Sequence, residues 1–165
     1  MAMDSLRKLY EEELKDLHSA ERQIIQALPK MVKKAGNEQL KRAFEEHLRI
    51  TETQLERLDR IFDLLGKSGK GKKCKGMEGL LEEGKEMMQE DMEPDVMDAA
   101  LIGAAQKVEH YEIAAYGTVR TFAMVLGETN HAKLLQQTLD EEGEADKKLT
   151  EIAESLVNQE AAVGA

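Results

Sequence analysis

The chain has 165 residues, 41% hydrophobic and 34% charged, with a net charge of -10, 12 glycines, 2 prolines and one cysteine. That is enough chain for one domain with a buried core; it is too apolar for a disordered polymer, and it lacks the run of about 18 apolar residues that a transmembrane helix needs. The acidic balance disfavours nucleic acid as a partner, a lone cysteine excludes an internal disulfide framework, and residues 1–10 carry no apolar signal core, so the expected location is the cytoplasm.

Leu, Glu, Lys, Ala, Met and Gln dominate, which is the composition of an all-helical protein. The first helix is expected over about residues 5–35, on the stripe Tyr10, Leu14, Leu17, Glu21, Ile24, Leu28, Met31. Asp4 or Ser5 can cap it and Gly36 can end it. Pro29 lies inside the pattern and predicts a local kink. After a two-residue turn, the second helix is expected over 38–65, on Leu40, Phe44, His47, Thr51, Gln54, Leu58, Ile61 and Leu65.

Residues 66–76 read GKSGKGKKCKG, a flexible basic loop. A short helix over 77–91 follows, with Met77, Leu80, Leu81, Gly84, Met87 and Met88 on its apolar side. That face either packs on the rest of the chain or forms a dimer contact. Pro94 suits the first turn of a helix over 94–126, whose stripe is Ile102, Ala105, Glu109, Glu112, Tyr116, Val119, Ala123, Leu126. The last helix is expected over 130–157, on Leu135, Thr138, Glu142, Ala145, Leu149, Ile152, Leu156, with a frayed tail after Asn158.

Tight turns make helices one and two antiparallel neighbours, and likewise the last two long helices. The connection between the pairs is roughly 28 residues. A helix of that length spans about 42 Å, so the connection can cross the whole bundle. Two hairpins joined by one long crossover give an antiparallel four-helix bundle of ferritin-like topology.

Each stripe is apolar at its ends and polar in its middle. The interrupting residues are Glu21; His47, Thr51 and Gln54; Glu109, Glu112 and Tyr116; and Glu142. Glu21 and Gln54 are 33 residues apart, as are Glu109 and Glu142, so the polar slots match between the hairpins. A buried unpaired carboxylate costs several kcal/mol, against a total stability of about 5–15 kcal/mol. Four of them must therefore be protonated, paired with Lys or Arg, or bound to metal, and no Lys or Arg lies on the stripes at that level. Oxygen ligands with one imidazole suit iron or manganese, and carboxylates converging inside a four-helix bundle are the dinuclear arrangement. Glu109 and Glu112 can reach one centre, either of them bridging. Gln54 is a weak ligand better suited to orienting one. Tyr116 either packs or hydrogen-bonds a ligand.

Cys74 sits among lysines, whose charge lowers a thiol pKa. A redox role, an inter-subunit disulfide or an inert thiol in a mobile loop are the alternatives.

Six segments resemble the YciE/YciF-like stress proteins of the ferritin-like superfamily: DLHSAERQIIQALPK at 16–30, FEEHL at 44–48, TETQLERLDRIF at 51–62, CKGMEGLLEEG at 74–84, DAALIGAAQKVEHYEIAAYGT at 98–118 and LDEEGEADKKL at 139–149. The resemblance implies one ferritin-like domain over 1–165, usually dimeric, with a proposed di-metal centre, a stress association and no established reaction. It places the metal positions on Glu21, His47, Gln54, Glu109, Glu112 and Glu142. Three departures stand out. The chain reads HLRIT where relatives often read HLEET, so Arg49 and Ile50 replace a carboxylate. Neither helix two nor the last helix carries Glu-x-x-His. His18 stands where the family often has Tyr, as an extra ligand or a flanking residue. The expected function is redox handling of oxygen or peroxide at a dinuclear iron or manganese site. The alternative is a non-catalytic interaction protein with a degenerate site.

Overall fold

The computed structural model describes residues 5–163. Helix α1 spans Leu6–Lys34, α2 Glu38–Leu65, α3 Lys75–Met87, α4 Pro94–Val125 and α5 Thr129–Ile152. A π-helical turn, Ala153–Val157, leads into α6, Asn158–Val163. The helices pack as the hairpins α1–α2 and α4–α5, joined side to side through α1–α4 and α2–α5. The crossover helix α3 lies over α1 and α4. The ferritin-like bundle expected from the stripes is therefore the observed fold. Among the described residues no helix is long and apolar enough to cross a membrane.

Side-chain and backbone caps set the helix ends. Ser5 Oγ accepts from Lys8 N, and Asn37 Oδ1 accepts from the amides of Gln39 and Leu40. Gly66 ends α2 at φ 63°, a left-handed conformation that costs other residues a steric penalty. The turn between α1 and α2 takes a further cap from another hairpin. The buried Asp98 carboxylate of α4 accepts from Gly36 N at 2.7 Å and from Asn37 N at 2.8 Å.

The apolar core is split in two. One cluster holds Ile24, Leu28, Leu40, Phe44, Leu101 and Ile152 with Met77 of α3. The other holds Tyr10, Leu14, Leu17, Leu58, Ile61, Val119 and Leu135. His47, Thr51 and Gln54 on α2, Glu109 and Glu112 on α4, and Thr138 and Glu142 on α5 lie between them in sequence, and Glu21 on α1 lies at the edge of the first cluster, beside Ala20.

Four expectations need correction. The chain stays helical after Asn158, and the π turn before it moves the buried position from the expected Leu156 to Val157. The basic segment is anchored rather than loose. Lys67 pairs with Glu11 and Lys73 with Glu78, each at 2.5 Å, and Gly69 lies so close to His18 and Phe62 that a Cβ would stand 3.0 Å from each. Cys74 is buried and caps α3, its Sγ accepting from Met77 N, so α3 starts before residue 77 and ends at Met87. Its thiol also contacts Asp16 Oδ2 at 3.2 Å and Tyr111 Oη at 3.1 Å, and burial pushes its pKa up, opposite to the effect expected from neighbouring lysines. α1 runs helical through Pro29, which is exposed. The apolar side of α3 packs on the bundle through Leu80, Leu81, Met87 and Met88.

Asp98→Ala is expected to destabilise the protein by about 1–3 kcal/mol, the cost of hydrogen bonds to a charged acceptor. Urea unfolding should show a lower midpoint at an unchanged slope; an unchanged midpoint would show that water replaces the cap at no cost.

Candidate metal centre

The interrupting residues converge as their stripe positions require. Glu21 comes from α1, His47 and Gln54 from α2, Glu109 and Glu112 from α4, and Glu142 from α5. Each replaces an apolar residue at the 3.6-residue repeat, so each side chain is carried inward by its helix rather than by a loop. The four carboxylates are at most 1% exposed and His47 is 6% exposed.

Two groups of three form. His47, Glu109 and Glu142 make one; Glu21, Glu112 and Glu142 make the other. Within each group the ligand atoms lie within 4.8 Å of one another. Glu142 belongs to both. Glu109 and Glu112 divide between the groups, although their spacing allows a shared centre, so the common carboxylate is neither of the two expected.

The donor atoms are buried and unpartnered. Glu21 Oε2, both oxygens of Glu109, Glu112 and Glu142, Gln54 Oε1 and His47 Nε2 have no hydrogen bond. His47 Nε2 lies 3.0 Å from Glu109 Oε1 without the alignment of a hydrogen bond. Buried polar atoms are nearly always satisfied. So many orphaned acceptors aimed at one volume fit a cation, and the set of hard oxygens with one imidazole can hold a metal ion.

The surrounding contacts fix these ligands. Tyr116 Oη donates to Glu21 Oε1 at 2.5 Å, which leaves Oε2 as the free oxygen. Burial first, and then the charge of Glu21, push the Tyr116 phenol well above its usual range, so it stays protonated as a donor. Gln54 Nε2 donates to Glu141 Oε2 at 3.1 Å, which leaves its carbonyl oxygen buried and without a donor. Arg57 grips Glu141 through two bonds of 2.6 and 2.8 Å and also donates to Thr138. Arg57 and Glu141 were not picked out by the stripes, because both sit on stripe edges. Their trace in the sequence is spacing: Arg57 is one turn beyond Gln54, and Glu141 adjoins Glu142.

Other candidates fall outside the groups. Thr51 donates to the His47 carbonyl one turn back, a local bond. His18 is a flanking residue, its Nε2 2.8 Å from Asp59 Oδ1 and its ring edge-on to Phe62. Arg49 is exposed and Ile50 half-buried. Asp146, one turn beyond Glu142, contacts His110 at 3.1 Å and keeps one buried oxygen unpartnered.

Burial dominates the electrostatics. It raises Glu21 to about 8, helped by the charge of Glu142, and Glu109 to about 7. Glu112 and Glu142 are pushed well above the carboxylate range, again by burial first. Without a cation the cluster therefore holds protons near neutrality, and a bound cation must displace them.

A family model for a domain of unknown function, DUF892, matches residues 5–162. The chain is 45% identical to Protein YciF of Escherichia coli (strain K12) over 162 residues, 98% of each chain. The crystal structure of the E. coli stress protein YciF superposes with a TM-score of 0.91, covering 94% of this chain and 99% of that one. YcfI, described as a putative structural protein from Rhodopseudomonas palustris, is 39% identical with a TM-score of 0.88, covering 91% and 97%.

The proton load predicts how stability depends on pH. Unfolded carboxyls titrate near 4.5, whereas folded Glu21 and Glu109 titrate at about 8 and about 7. Between these values the folded chain holds protons that the unfolded chain has released, so stability falls as pH rises. Metal-free protein in chelator is expected to show urea midpoints that decline from pH 5 to pH 8, with a shallower decline in Glu21→Gln and Glu109→Gln. Midpoints that rise across this range would contradict protonation of the cluster.

Proposed function

The chain belongs to the DUF892 family, and we propose that it is a cytoplasmic stress protein whose bundle core would hold a pair of iron or manganese ions, where it handles oxygen or peroxide. The observation that carries this reading is the pair of three-residue groups sharing Glu142. Glu21, Glu112 and Glu142 would hold one ion, and His47, Glu109 and Glu142 the other. Such ions, bound there, would supply electrons for the reduction of an oxidant. The chain supplies the rest. Tyr116 keeps its proton and holds Glu21 in place. Arg57 fixes Glu141, and Glu141 turns the Gln54 amide so that its carbonyl oxygen is left as an acceptor. The apolar clusters on either side exclude water. The stress association is supported by the description of the E. coli relative. A homodimer is part of the proposal, supported by the resemblance and checked by light scattering.

One observation favours a second reading, a non-catalytic interaction protein. Arg49 and Ile50 stand where relatives of the resembled family carry a carboxylate, and Ala145 stands where a Glu-x-x-His pattern would put an imidazole.

Elemental analysis separates the readings. Protein expressed with iron and manganese and dialysed without chelator is expected to carry about two ions per chain, the content of a carboxylate di-metal bundle. Glu142→Ala, which removes the shared ligand, should lose both, while Glu109→Ala should keep about one. Circular dichroism checks that each variant is folded. No metal as isolated, and none taken up anaerobically as Fe(II), would sink the metal reading and favour the interaction protein.

A further inference from the structure

An open groove between α2 and α5 reaches the cluster. Its volume is about 510 Å³, and Phe44, His47, Ile50, Ala145 and Leu149 are among its walls. His47 is the cluster residue nearest to solvent: it is more than nine-tenths buried, yet the four carboxylates are buried deeper still. Its Nε2 is unpartnered. His47 is thus the one residue of the two groups that lines the groove, and its Nε2 lies buried behind the groove wall, 3.0 Å from Glu109 Oε1.

The rim is acidic. Glu46, Asp140, Glu141, Glu144 and Glu151 line it with Lys147 and Lys148, and Arg57 holds Glu141. Each lysine is already matched, Lys148 to Glu46 at 2.5 Å and Lys147 to Glu144 at 3.2 Å. A cleft of one charge sign concentrates the opposite ion and raises its association rate. A second void touches His47 from the α1–α4 side. It is only about 10 Å³, and its other walls are the apolar residues Ile24, Leu28, Leu81, Ala105 and Val108 with their like. A cation cannot cross such a passage without giving up its water unpaid by any polar contact.

Ala145 holds the groove open. It is half-buried, lines the groove and lies one turn beyond Glu142 on α5. A longer side chain there would fill part of the groove that His47 also lines.

We infer that the α2–α5 groove is the portal through which a divalent transition-metal cation reaches the buried cluster, with Ala145 as the residue that keeps it passable. The inference rests on the proposed metal centre. It adds the route and the charge selectivity, and it assigns a role to a position that a ligand pattern would give to histidine.

Anaerobic Fe(II) is the probe, with loading followed by loss of free Fe(II) and release followed with an optical chelator. Ala145→Leu and Ala145→Phe are expected to reach the metal content of the unmodified chain but to load and release at least about tenfold more slowly, about 1.4 kcal/mol of added barrier. Both rates should fall by the same factor, because a plug changes access and leaves affinity alone. Folded variants that load at the unmodified rate overturn the portal. If the bulky variants do not fold, Asp140→Asn with Glu144→Gln serves instead. It should slow loading and flatten the dependence on ionic strength; an unchanged dependence overturns the portal.

Failure of the metal centre itself is distinguishable. If the unmodified chain takes up no Fe(II), access is read on metal-free protein with diethyl pyrocarbonate, by mass spectrometry of His47 against exposed His110. Selective slowing at His47 in Ala145→Leu sustains the route. Equal rates in both proteins, or no reaction at His47 in either, overturn it.

Discussion

Four carboxyl groups cannot share the middle of a helical bundle as bare anions, and the rest of the architecture answers that constraint. Repulsion among Glu21, Glu109, Glu112 and Glu142, together with the loss of water around each, drives the group to take up protons or cations. The two apolar clusters, one on each side in the bundle, supply the stability that lets such a layer persist. Each three-residue group draws ligands from both hairpins. Whatever neutralises the cluster therefore also ties the α1–α2 hairpin to the α4–α5 hairpin.

Much of this was legible from residue order. Glu21, Glu109, Glu112 and Glu142 betrayed themselves by standing in slots where a 3.6-residue repeat demands an apolar side chain, and the matching 33-residue spacings put them at one level. What remained hidden depends on side-chain direction across the bundle. Periodicity gives the face and level of Glu142 but not its reach, so it could not say that this residue, rather than Glu109 or Glu112, lies within range of both groups. Arg57 and Glu141 were invisible for a related reason: on a stripe edge, a charged residue reads as solvated until its partner on the facing helix is known.

The misjudged segments have a common cause. Residues 66–76 have the composition of a flexible linker, yet Ser19 Oγ accepts from Cys74 N at 2.8 Å and Gln23 Nε2 donates to the Cys74 carbonyl at 3.1 Å, so α1 provides a track for the segment. Composition describes what a segment does alone, and this one is never alone. The π turn after α5 is similar. No residue among Ala153–Val157 forbids an ordinary helix, yet the core takes Val157 in place of Leu156.

The cap that Asp98 lends to the first turn also sets an order of events during synthesis. Its carboxylate serves Gly36, 62 residues earlier in the chain. A chain emerging from the ribosome therefore completes the α1–α2 hairpin long before the residue that fastens its bend exists. Glu21 waits in the same way for Tyr116, 95 residues downstream. The nascent first hairpin thus keeps its future interior carboxylate in water, and the dry layer is sealed only when the second hairpin docks. Assembly of the centre is by this arithmetic a late event in the life of the polypeptide.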